Sequence, residues 1–331
     1  MIAGSGADLK PRTQVVWAAL LLSIVLAPMA AAQDAYPSKP ITLIVPQAAG
    51  GANDTIARIF AQKLSEVVGQ QVVVDNKVGA GGNIGTVAAA KAPKDGYTLL
   101  LTVNSAHLIN YYLYKNVGFD PVKDFEAITP VATAGYVLVA EPDFPGKNVK
   151  DLIDHAKAKP GMNYASAGNG TLNHLLAEML KAQAGIDMQH IPYKSAAASV
   201  QDVVGGRVPV SFQSVPSALA FVKSGKLKVL GVANEKRVPA LPDVPTIGET
   251  IPGYGSTPWY GLFAPAGTPK AVITRLHEAS VKALASKDVQ DKLIAQGCEA
   301  STATPDRFAA MIRTEMPHWQ KVVKESGAAV D

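Results

Sequence analysis

Two stretches of this chain share one plan: an apolar run, a glycine-rich turn, then the start of an amphipathic segment. Val45-Pro46-Gln47-Ala48-Ala49-Gly50-Gly51-Ala52-Asn53-Asp54 follows the apolar run 41–45. About 120 residues later, Tyr164-Ala165-Ser166-Ala167-Gly168-Asn169-Gly170-Thr171 does the same. Both read as strand, glycine turn, helix N-terminus. Such a junction aims unpaired backbone N–H groups and the positive end of a helix dipole at one point. That point holds an anion without a charged side chain. Two of them in one chain suggest a cleft that grips an acidic ligand from both sides.

The rest of the sequence fits that frame. Apolar runs at 41–46, 71–74 and 97–102 alternate with helical periodicity, which argues for an α/β architecture with largely parallel sheets. Ile56, Ile59, Phe60, Leu64, Val67 and Val68 share one helical face, with Asn53 or Asp54 as N-cap and Gly69 as the stop. A second unit begins near Tyr136. Its strands are expected at 136–140, 162–165, 188–192, 208–213 and 229–233. Residues 239–258, rich in proline and glycine, read as a loop before a returning strand at 259–264. Thr268-Pro269 and Thr304-Pro305 are helix-start signatures, and Pro317 predicts a kink or break in the last helix.

Residues 1–32 read as a secretory signal. Lys10 and Arg12 supply the basic segment, 15–26 is apolar apart from Ser23, and Ala30-Ala31-Ala32 offers small residues for cleavage. The apolar run is short for a membrane anchor. Cleavage leaves Gln33 to Asp331, enough for two domains. Cys298 is the single cysteine, so the mature chain has no disulfide framework and no lipid attachment point. Its natural role is that of a small buried hydrophobe. The formal charge is +4 overall, without a run of lysine or arginine, which disfavours nucleic acid and accommodates a small anion.

Catalytic and cofactor signatures are missing. In Gly79-Ala80-Gly81-Gly82-Asn83-Ile84, isoleucine stands where a dinucleotide fingerprint needs its third glycine. The surroundings of Ser166 lack the first glycine of a nucleophile elbow. The six histidines show no paired metal spacing. No cofactor, metal or catalytic residue is expected. A secreted serine hydrolase would need His174 or His190 beside Ser166.

The sequence resembles the Bug family of periplasmic receptors that serve tripartite tricarboxylate transporters. The resemblance runs through the mature chain: Tyr36-Pro37-Ser38-Lys39-Pro40-Ile41, Ala49-Gly50-Gly51 with Asp54, Gly79-Ala80-Gly81-Gly82 and Lys94-Asp95-Gly96-Tyr97. It continues in His190-Ile191-Pro192-Tyr193-Lys194, Leu241-Pro242-Asp243-Val244-Pro245-Thr246, Trp259-Tyr260-Gly261-Leu262 and Ala264-Pro265-Ala266-Gly267-Thr268-Pro269. It implies a periplasmic binding protein fold, with two α/β domains joined by crossover strands and a ligand cleft between them. Domain one would be 33–133 with 255–331, and domain two 134–254. The implied partners are a small organic acid anion, either a di- or tricarboxylate or an aromatic acid, and an inner-membrane permease. The receptor is expected to be a monomer in the periplasm. A sensory receptor feeding a membrane kinase would share the same fold and site. Two departures from the family pattern bear on the ligand: Ser195-Ala196-Ala197-Ala198 replaces a glycine and a proline-alanine pair, and Gln47 stands where an aromatic residue is common.

The residues expected to meet the ligand are Gln47, Ala48, Ala49, Gly50 and Gly51 from the first turn, and Thr102, Asn104, Ser105 and His107 after the third strand. From the second unit they are Ser166, Gly168, Asn169, Gly170, Thr171, Tyr193 and Gln213.

Overall fold

The structure, a computed structural model, describes residues 1–4 and 36–330. Most of the expected leader therefore lies outside the described residues. The chain divides into two units, Met1–Ser38 and Lys39–Asp331, and among the described residues every helix and strand lies in the second.

The first half of that unit alternates as its sequence pattern requires. β1 (Ile41–Val45) leads to α1 (Ala52–Val68), then β2 (Val72–Asn76), α2 (Asn83–Ala90) and β3 (Thr98–Val103). A π-helical turn, Ser105–Ile109, continues into the short α3 (Asn110–Leu113). β4 (Phe125–Ala134) and β5 (Tyr136–Ala140) follow, separated by Gly135 alone. Next come α4 (Val149–Ala158), β6 (Met162–Ser166), α5 (Leu172–Ala184), β7 (Met188–Pro192), α6 (Ala196–Val204), β8 (Val210–Ser214), α7 (Val215–Lys223) and β9 (Lys228–Val232). The chain returns through β10 (Trp259–Pro265), α8 (Lys270–Leu284), α9 (Lys287–Ala295), β11 (Cys298–Ala300) and α10 (Pro305–Ser326).

Two sheets result. One has the order β11-β4-β10-β3-β1-β2 and the other β7-β6-β8-β5-β9. The five strands expected after Tyr136 are the five strands of the second sheet. The pairing corrects the expectation of largely parallel sheets. β1 is parallel to β2 and β3, and β6 to β7 and β8, but β10 is antiparallel to β3 and β4, and β5 to β8 and β9. The reversed strands are those where the chain passes between sheets. β4 runs into β5 across one residue, and β10 arrives from the second sheet, so neither is set by a βαβ crossover.

Three local expectations change. α1 begins after Gly51, with Asn53 and Asp54 already in its first turn. Thr268 hydroxyl donates to Pro265 O and does not cap α8, whereas Thr304 Oγ accepts from Arg307 N and does cap α10. α10 runs unbroken through Pro317. Trp319, Val322 and Val323 beyond the proline are buried like Phe308 and Ile312 before it, so packing on both sides outweighs the lost backbone bond.

Candidate functional site

Parallel strands collect loops at their C-terminal ends. Here the ends of β1, β3 and β6 bring Gln47, Val103, Ser105 and Ala167 to one cavity of about 230 Å³. Asn110, Leu113, Tyr114 and Gly81 wall it from the first sheet's side, and Tyr136, Asn169, Gly170, Thr171, Leu172 and Asn173 from the second's. Val330 completes the lining. None of these residues carries a charged side chain.

The second glycine turn joins β6 to α5, the strand–turn–helix order its sequence suggests. Thr171 is the N-cap of α5 by position, yet no side chain caps the helix. Its hydroxyl donates instead to Gly168 O at 2.7 Å. Thr171, Leu172 and Asn173 all line the cavity, so the uncapped first turn and its dipole open onto it.

That turn is braced from beneath. Gly168 N–H donates to Ser166 Oγ at 3.0 Å, and Ser166 Oγ lies 2.6 Å from His190 Nε2. Gly170 N–H donates to His174 Nδ1 at 3.1 Å. The two imidazoles stack with centroids 3.9 Å apart and planes 8° from parallel. Burial, then the neighbouring His174, pushes His190 down to about 4, and burial lowers His174 too. Both rings are therefore neutral at pH 7. Glu178, which accepts from Tyr164 OH at 2.5 Å and from Lys181 Nζ at 2.8 Å, closes the network. Ser166 is fully buried with its Oγ already shared. It lacks the open approach that an acyl substrate would need.

The first glycine turn departs from expectation. Gly50 N–H donates to Asp54 Oδ2 at 2.8 Å, and Gly51 N–H to Ala48 O at 3.2 Å. An internal carboxylate already occupies this helix start. Asp54 is held further by Arg58 and by Asn76 Nδ2 at 3.0 Å. Burial pushes its carboxyl up, but the hydrogen bonds from Arg58, Gly50 and Asn76 outweigh that and hold it below the ordinary range. Gln47 alone of this turn lines the cavity, its Oε1 bonded to Asn53 Nδ2. Ala48, Ala49, Gly50 and Gly51 are exposed outside the lining. On this side the cavity is lined instead by Ser105 and Ala106, where the π-helical turn opens.

Five of the expected contacts therefore meet: Gln47, Ser105, Asn169, Gly170 and Thr171. Thr102 is interior to β3, opposite Gly261. Asn104 is buried and is not part of the cavity lining. His107 sits in an aromatic cage of Phe119, Phe125, Trp259 and Phe263, 3.0 Å from Pro121 O through Nε2, and burial pushes it down to about 4. Ser166 and Gly168 brace the turn from below. Tyr193 OH donates to Asp202 at 2.6 Å, and Gln213 is buried with its amide donating to Ser199 and Ser211. Neither reaches the cavity.

Sequence reasoning missed Gly81, Asn110, Leu113, Tyr114, Tyr136 and Val330. The glycine run 79–82 was a usable signal. Gly81 is left-handed at φ +65, and a β-carbon there would lie 2.5 Å from Tyr114 OH. Asn110 Nδ2 ties the run down through Gly81 O at 3.0 Å and Asn83 Oδ1 at 2.8 Å. Among the described residues no cluster of three metal-ligating side chains occurs, and no helix is long and apolar enough to cross a membrane.

Comparison with known proteins bears on this geometry. The model of the tripartite tricarboxylate transporter family receptor matches residues 56–328. Protein BugT of Bordetella pertussis is 37% identical over 307 residues, spanning 92% of this chain and 94% of its own. Rhodopseudomonas palustris Rpa4515, solved with adipate, is 33% identical with a TM-score of 0.81, covering 89% of this chain and 99% of that one. MatC of the same organism, solved with bound malate, is 29% identical with a TM-score of 0.77, covering 87% and 100%.

Proposed function

Because this chain belongs to the Bug-type receptors of the tripartite tricarboxylate transporter family, we propose that its neutral cavity captures a small carboxylate for delivery to a membrane permease. One observation carries the reading: the uncapped first turn of α5 opens on a cavity that, among the described residues, no charged side chain lines. A carboxylate there receives N–H groups and a helix dipole, and the surrounding low dielectric strengthens each bond. Relatives solved with adipate and malate support the same ligand class.

Capture proceeds by hinge closure between domain one (33–133 with 255–331) and domain two (134–254), about Gly135 and the returning segment 233–258. The ligand selects the closed form by bridging the two rims. The mature receptor, from Gln33 onward, works as a periplasmic monomer and performs no chemistry on its ligand.

A thermal-shift panel of aliphatic di- and tricarboxylates, acidic amino acids, aromatic acids and neutral sugars tests this. An acid at a hundred times its dissociation constant adds about 2.7 kcal/mol to stability. A shift with one acid class, with that acid recovered intact, is expected. A shift confined to sugars, or consumption of the acid, overturns the reading.

A further inference from the structure

The segment following α10 returns to the ligand cavity. Gly327 at φ +64 turns the chain back, Ala328 N–H donates to Ser326 Oγ at 3.1 Å, and Ala328 packs on the core. Val330 then donates its N–H to Leu113 O at 3.1 Å and forms a parallel bridge with Tyr114. The two contacts at Val330 are made by its backbone. Leu113 also faces the opposite rim. A β-carbon on Gly170 would lie 2.6 Å from its Cδ1. Val330, Leu113, Tyr114 and Gly170 therefore form one continuous wall of the cavity.

We propose that Val330 is a specificity-determining residue whose side-chain size sets the longest acid the cavity accepts. The inference rests on the carboxylate-receptor reading and adds the selection rule. The cavity, at about 230 Å³, is smaller than most ligand pockets. The loss or gain of one wall group there matters. Among the described residues no charged side chain lines the cavity, so selection at this wall is steric. A methylene accommodated or excluded by an apolar wall changes affinity by roughly tenfold or more.

The test is calorimetric affinity across linear diacids from malonate to suberate, with the benzenedicarboxylates added, for wild type and for Val330→Ala, Val330→Thr and Val330→Phe. Valine and threonine share a shape, so Val330→Thr controls for folding and for surface chemistry. The expected result is an optimum shifted to longer acids in Val330→Ala and unchanged in Val330→Thr. In Val330→Phe the wild-type optimum acid weakens at least about tenfold, and shorter acids are retained. Melting temperatures of the ligand-free proteins report folding, and if Val330→Phe fails to fold, Val330→Ala decides. Wild type that binds no acid overturns the receptor reading and this inference together. Wild type that binds while the profiles superimpose within about twofold, far less than one methylene contributes, overturns this inference alone.

Discussion

The Gly170 N–H ends on Nδ1 of His174, 3.1 Å away and buried. This single bond ties the cavity-lining turn to the first helical turn of α5, and it fixes the neutral His174 tautomer with its hydrogen on Nε2. His174→Leu keeps the bulk and removes the acceptor. A buried N–H left unpaired costs about 1–3 kcal/mol. Urea unfolding should show a loss of that order, with acid affinity reduced as the turn loosens. Unchanged stability would mean that the bond contributes nothing.

The histidine stack should make the receptor acid-sensitive. An unfolded histidine titrates near 6.5, whereas burial and His174 hold His190 at about 4 in the fold. Between those values the unfolded chain binds a proton that the native protein refuses, so stability is full above pH 6.5 and falls as pH drops toward about 4. His107, also held at about 4 by burial, acts with the same sign. The groups facing the stack are Tyr164, Ser166, Glu178 and Lys181. Denaturation midpoints at pH 7.5, 6 and 5 should decline, and the decline should be shallower in His190→Gln. Parallel declines would assign the acid sensitivity elsewhere.

Asp54 serves as the internal anion of the first glycine turn. Asp54→Ala removes the acceptor of the Gly50 N–H and one of the two acceptors of the Asn76 amide, for an expected loss of about 1–3 kcal/mol. Asp54→Asn, which keeps an oxygen but not the charge, should lie between. Because the native carboxyl titrates below its unfolded value, its contribution is present above about pH 4 and disappears as pH falls through the native value. Thermal melts at pH 7 and pH 3 compare the three proteins. A gap between wild type and Asp54→Ala that is as wide at pH 3 as at pH 7 would contradict this role.

Gly170→Ala should harm binding more than its size suggests. Its φ of +72 disfavours any other residue by about 1–2 kcal/mol, and the new methyl would meet Leu113 across the cavity wall. Weaker acid binding is expected in titration calorimetry. Pairing with Leu113→Ala should restore part of it by removing the clash but not the strain. A double variant no better than the single one would rule out the steric contact.

Local order was legible. Gly69 and Gly185 end α1 and α5 in the left-handed conformation, as a glycine after an amphipathic run requires. The strands at 136–140 and 188–192 were readable because each is a short apolar run between turn signals. β4 was not, because Glu126 and Pro130 interrupt its pattern while antiparallel neighbours on both sides supply its pairing.

The sequence by itself determined the α/β order, the family and the second glycine turn, since propensity and spacing act over a few residues. Only the tertiary structure decided which polar groups remain for a ligand. Asp54 claims the first turn, His174 and Ser166 claim two amides of the second, and His107 disappears among phenylalanines. Val330 reaches the cavity from the far end of the chain. Each outcome depends on a partner distant in space or on competition for one hydrogen atom, and neither quantity is carried by local sequence.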